Sequence, residues 1–157
     1  MISPRSLFRA FALSEGVTWT LLLSGLAAKA WLGAPDPVVT VVGGIHGAVF
    51  LGYAFVSALV GVNQRWGLGR TVLAVALAIV PYATIPFEKQ VERTGRLEGD
   101  WRREHSGDAR DDHWFDRLYR WFILRPFVLT ATLVLGVVVI FAMLLLIGPP
   151  GGWPAND

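Results

Sequence analysis

The chain of 157 residues contains no cysteine. That excludes disulfides, thiol nucleophiles and zinc–thiolate sites, and it removes redox chemistry as a guide to compartment. Histidine is scarce, at three residues, and no spacing of histidines and carboxylates matches a metal motif with stated mechanics. A P-loop, a nucleophile elbow and a dinucleotide fingerprint are also missing. Gly67-Leu68-Gly69 is an isolated turn without a phosphate cradle. The net charge of +2 is small and built from mixed signs, which speaks against nucleic acid as a partner. Charge is nearly absent from long tracts, and apolar residues fill them. The chain is 54% hydrophobic with a mean hydropathy of +0.49, whereas soluble domains hold roughly 45–50% apolar residues. The apolar runs have no polar face and are separated by a charged stretch from Glu88 to Arg125. This segregation predicts an all-α, polytopic membrane helix bundle.

Four spans are expected. Ser3 and Pro4 open the first as N-cap and first helical residue, and it runs from about Leu7 to Leu32. Arg5, Arg9 and Ala28-Lys29-Ala30 resemble a cleaved signal, but Glu15 interrupts the run, so an uncleaved helix is expected. Gly33 to Pro37 forms a tight turn in which Asp36 can cap the second span, Val38 to Val62. Arg65, Trp66 and Arg70 mark an interfacial turn. The third span, Thr71 to Phe87, is barely long enough and should kink at Pro81. From Trp114, the residues Phe115, Leu118 and Phe122 share one helical face opposite Asp116, Arg117 and Arg120, which predicts an interfacial amphipathic segment. The last span covers about Phe122 to Ile147, stopped by Gly148 to Gly152, with Trp153 at the headgroups. The organisation read from this is a three-helix unit (1–93), a charged loop with the amphipathic segment (94–121), and a fourth span with a short tail (122–157). Counting lysines and arginines over four spans places both termini outside and the loop 88–121 in the cytoplasm.

Ionisable groups inside spans are costly and usually face a bundle interior, a partner or water. Glu15 in the first span and His46 in the second are therefore the leading candidates, with Arg9 and Arg70 as possible partners of Glu15. Lys29 and Glu88 are expected to pair at the cytoplasmic ends of their helices. His46 could hydrogen-bond across helices or relay protons, and one membrane histidine cannot supply both axial ligands of a haem. Small residues stripe the helices: Gly16 and Ser24 on the first, and Gly43, Gly44, Gly47 and Gly52 on the second. Such stripes let backbones approach, either within the chain or in docking onto another protein. Glu104, His105, Asp108, Asp111, Asp112 and His113 are metal-capable types, but a solvated charged loop accounts for them, and no metal or cofactor is expected.

Three segments carry a resemblance. They are Phe8-Arg9 followed by Glu15-Gly16, Leu21–Leu23 and Lys29; Gly44-Ile45-His46-Gly47 with Phe50 and Tyr53; and Pro81 through Ile85-Pro86-Phe87-Glu88. On these, Leu7 to Arg93 resembles a family of small bacterial integral membrane proteins of unknown function, of the YdzA-like kind. The resemblance implies a three-helix membrane unit and no activity. The expected function is a non-enzymatic accessory or scaffold subunit of the bacterial cytoplasmic membrane, docking through the small-residue stripes onto a larger complex or a second copy. The alternative is a small proton-coupled transporter using Glu15 and His46.

Overall fold

The computed structural model describes residues 2–105 and 107–148. The Trp153 anchor and the stop after Gly148 lie outside these residues. Six α-helices follow in order: α1 (Pro4–Leu32), α2 (Asp36–Asn63), α3 (Leu68–Leu77), α4 (Thr84–Arg93), α5 (Trp114–Ile123) and α6 (Pro126–Ile147), with a 3₁₀ turn at Ala109–Asp112. The protein is a helical membrane bundle. Among the described residues, α1, α2 and α6 are long and apolar enough to cross a membrane.

α1 and α2 form an antiparallel pair. Ser3 Oγ accepts from Ser6 N at the start of α1, as the sequence predicts. Gly33 ends the helix in the left-handed region at φ 66°, where a side chain would be strained. Asp36 does not cap α2. It is the helix's first residue, and its carboxylate takes the Lys29 ammonium at 2.7 Å.

The expected third span is instead a re-entrant hairpin. α3 begins at the far end of α2, where Thr71 packs on Gly61. It climbs until Ala78 and Tyr82 lie beside Trp19 and Thr20 of α1. At 1.5 Å per residue, Thr20 lies about 24 Å from the start of α1. The backbone then turns over residues 78–83, with Tyr82 at φ 63°. Pro81 does not merely kink the helix, because its ring and missing N–H end α3 within reach of a turn. α4 descends along α1. Thr84 Oγ1 donates to Ala12 O, Phe87 packs on Phe8, and Glu92 pairs with Arg5. The chain therefore leaves the hairpin on the side where it entered. Trp66 Nε1 donates to Arg96 O and Trp101 Nε1 to Ile2 O, which ties the loop to the N-terminal end of α1.

This changes the topology. The start of α1, the α2–α3 turn and the loop after α4 share one face. The Gly33 turn lies on the other. α6 runs antiparallel to α2, with Gly136 against Phe55 and Phe141 against Gly44 and Gly47. Its Ile147 end therefore reaches the Gly33 face, opposite the N-terminal end of α1. α6 rests on α2 and α5 alone, leaving an apolar crevice of about 430 Å³ between Phe11, Gly52, Leu129 and Leu133.

The charged loop is folded rather than solvated. Asp111 is 1% exposed and receives Arg65 at 2.7 Å, with Arg102 and Arg120 each at 3.4 Å. Arg102 also caps α2, donating to Val62 O and Asn63 O, and reaches Asp116 at 2.9 Å. Asn63 Oδ1 accepts from Arg102 N and from the Tyr119 hydroxyl. Burial pushes the Tyr119 phenol above its usual range, so it stays protonated and keeps donating. The metal-capable residues are largely engaged here: Asp108 pairs with Arg65, and His105 with Asp112. α5 turns Tyr119 and Ile123 inward, together with the half-buried Asp116 and Arg120. Trp114, Leu118 and Trp121 face out, as an interfacial helix would.

Two outcomes follow. Single cysteines introduced at Ile2 and Glu98 react with a membrane-impermeant maleimide from one side, and a cysteine at Ala34 from the other; four full spans would separate positions 2 and 98. Asp111→Ala removes the carboxylate that three arginines share, although Arg65 keeps Asp108 and Arg102 keeps Asp116, and lowers stability by about 1–3 kcal/mol, read as thermal unfolding in detergent.

Candidate intramembrane polar site

The first two helices bring Glu15 and His46 together. Glu15 sits three turns into α1 and is fully buried. His46 lies mid-way along α2 and is 8% exposed. Its Nδ1 is 3.8 Å from Glu15 Oε2, beyond hydrogen-bond range. Neither carboxyl oxygen of Glu15 has a hydrogen-bond partner. Arg9 and Arg70, the expected partners, do not reach it. Arg9 is exposed and acts electrostatically on Glu88, and Arg70 lies in a groove beside Gln90 and Thr94.

Thr18 fixes the imidazole. Its hydroxyl donates to Glu15 O at 3.1 Å and lies 3.1 Å from His46 Nδ1. The direction of the Thr18–His46 contact follows the imidazole tautomer, and either atom can donate. Trp19 covers the imidazole at 4.5 Å between ring centres and anchors itself by donating to Ala78 O at 3.1 Å. The hairpin tip thus closes the site from above.

Lys29 and Glu88 do not pair. Lys29 is on the Gly33 face with Asp36, and Glu88 is on the opposite side of the bundle, 3% exposed, near Arg5 and Arg9. The small residues pack within the chain. A Cβ on Gly16 would meet Ile85 at 2.8 Å, one on Gly52 would meet the Phe11 ring at 2.6 Å, and Gly43 faces Leu22 at 3.9 Å. Gly44 and Gly47 seat Phe141, and Ser24 is exposed. Sequence reasoning missed Thr18 and Ser57, and quoted Tyr53 only for resemblance. The available signal was helical phase, since Tyr53 and Ser57 follow His46 at seven and eleven residues.

Residues 5–93 match the model of a domain of unknown function, DUF3817. The chain belongs to that family. Membrane protein SCO5905 of Streptomyces coelicolor is 40% identical over 95 residues, covering 58% of this chain but 11% of its own length. The chain thus spans about a tenth of that relative. The uncharacterised membrane protein YdzA of Bacillus subtilis is 28% identical over 88 residues, 55% of this chain and 91% of its own. No solved structure matches. The DUF3817 segment ends with α4, so it comprises α1, α2 and the hairpin and contains Glu15, Thr18, His46, Thr84 and Glu88. The Asp111 cluster, α5 and α6 lie beyond it.

A carboxyl with no hydrogen bond contributes nothing to folding and carries a desolvation penalty of about 1–3 kcal/mol. Glu15→Leu is expected to raise the thermal stability of the purified protein by about 1–2 kcal/mol. A clear fall in melting temperature would mark Glu15 as a structural anchor.

Proposed function

We propose that this integral membrane protein handles protons within the bilayer, as a small, non-enzymatic proton-coupled carrier built on Glu15 and His46. The observation that carries this reading is the fully buried Glu15 carboxyl, which has no hydrogen-bond partner among the described residues and lies 3.8 Å from His46 Nδ1. A carboxyl in that setting exchanges a proton with little rearrangement, and intramembrane ionisable pairs commonly mark proton relays. The hairpin supports the reading, because its Ala78 carbonyl holds Trp19 over the His46 ring. Orientation follows from charge. Once the loop lies on the same face as the start of α1, every lysine and arginine except Lys29 gathers there. The positive-inside bias puts that face, including the loop 88–121 and the N-terminal end of α1, in the cytoplasm.

A second reading is an accessory subunit of a larger membrane complex. It is favoured by the Streptomyces relative, in which the matched unit is 11% of a far longer membrane protein. It is also favoured by the outward apolar surface of α6, where only Leu129 is buried. Docking would use that surface rather than the glycine stripes, which are filled from within.

Proton flux into vesicles bearing the wild-type protein should exceed that of empty vesicles and fall at least tenfold in Glu15→Gln and in His46→Ala. Equal flux in all three would overturn the carrier. A stoichiometric membrane protein recovered with the chain after mild-detergent purification would then favour the accessory reading.

A further inference from the structure

The buried polar groups do not stop at Glu15 and His46. Tyr53 and Ser57 continue the His46 face of α2 toward the arginine-rich end, and both are fully buried. Glu88 on α4 is 3% exposed on the same interior. The two hydroxyls are neighbours one helical turn apart, and Tyr53 lies within Coulombic reach of both Glu15 and Glu88. No other group of the described fold hydrogen-bonds to the Tyr53 and Ser57 hydroxyls, and Glu88 Oε1 has no partner. Glu88 in turn lies within Coulombic reach of Arg5, Arg9, Lys89 and Glu92 at the charged face.

Toward the Gly33 face, Gly25 packs on Val42 and Leu22 on Gly43, and the Thr20 and Tyr82 hydroxyls are exposed and joined at 3.3 Å. The buried Tyr53, Ser57 and Glu88 lie on the arginine-rich side of the site.

We propose that Glu88, Ser57 and Tyr53 form a proton path from the arginine-rich face to Glu15 and His46. Glu88 collects a proton at the mouth. Each hydroxyl accepts one proton and passes its own onward, directly or through an intervening water, so the hydroxyls end unchanged and the Glu15 carboxylate is neutralised. The ionisable groups facing the path are Arg5, Arg9 and Glu15 from α1, His46 and Tyr53 from α2, and Glu88, Lys89 and Glu92 from α4. α3 adds only Arg70, at its start.

This path rests on Glu15 being a proton site, and the test separates the two. The full chain is placed in lipid nanodiscs, and the buried carboxyl band of Glu15, identified by its loss in Glu15→Gln, is followed by infrared spectroscopy after a pH jump. Ser57→Ala, Tyr53→Phe and Glu88→Gln are each expected to slow protonation at least tenfold while leaving its final extent unchanged. Wild-type rates in Ser57→Ala and Tyr53→Phe, both small deletions that the fold should tolerate, would overturn the path and leave the Glu15 site standing. A Glu15 band that never titrates in the wild type would overturn both.

Discussion

Two hydrogen bonds tie the flanks of a turned backbone to the first span. Trp19 Nε1 donates to Ala78 O, and Thr84 Oγ1 donates to Ala12 O. In hydrocarbon an unsatisfied backbone group costs several kcal/mol, so a chain reversal at this depth survives only where neighbouring protein supplies partners. Much else depends on this reversal. It sends α4 back along α1, sets Glu88 on the same side as Arg5 and Arg9, and brings the loop to the N-terminal end of α1. Trp19 also walls the His46 ring, so the bond that seals the tip also shapes the site.

The two faces of the bundle are built on different physics. At one end, arginines are spent on structure: Arg102 satisfies the last carbonyls of α2, and Asp111 gathers Arg65, Arg102 and Arg120. At the other end, among the described residues, a single pair, Lys29 with Asp36, sits in a tight turn. Between them the bundle interior holds polar groups without strong partners. Paired charges at the rim confer rigidity, whereas unpaired groups in the middle keep the freedom to change protonation.

The membrane character, the helical class, the Ser3 cap and the family were legible in the sequence, because span length and apolar content are one-dimensional signals. So was the importance of Glu15 and His46, since ionisable groups in apolar runs declare themselves. Their mutual approach was not, because it depends on the rotational phase of two helices about their axes. The hairpin was misread for a related reason. Thr71 to Phe87 has the length of a minimal span, and Pro81 reads equally as a kink or a reversal until the neighbours of α4 are known. That error propagated into the N-terminus, which the sequence reading set on the opposite face from the loop and which the hairpin brings to the same face. The loop itself looked solvated because its charges alternate in sign, and only the convergence of Arg65, Arg102 and Arg120 from three separate segments on Asp111 gives it structure.

The hairpin also depends on its neighbours. α4 carries Glu88, Lys89, Glu92 and Arg93 within ten residues, too much charge to partition into lipid unaided. α3, with ten residues, is too short to cross. Neither helix spans by itself, and the hairpin takes its place from α1, where Trp19, Gly16 and Ala12 form its seat. The element that covers the polar interior is thus held by tertiary contacts with its neighbours and not by its own hydrophobicity, so losing the α1 seat would release the hairpin while leaving the long helices in the bilayer.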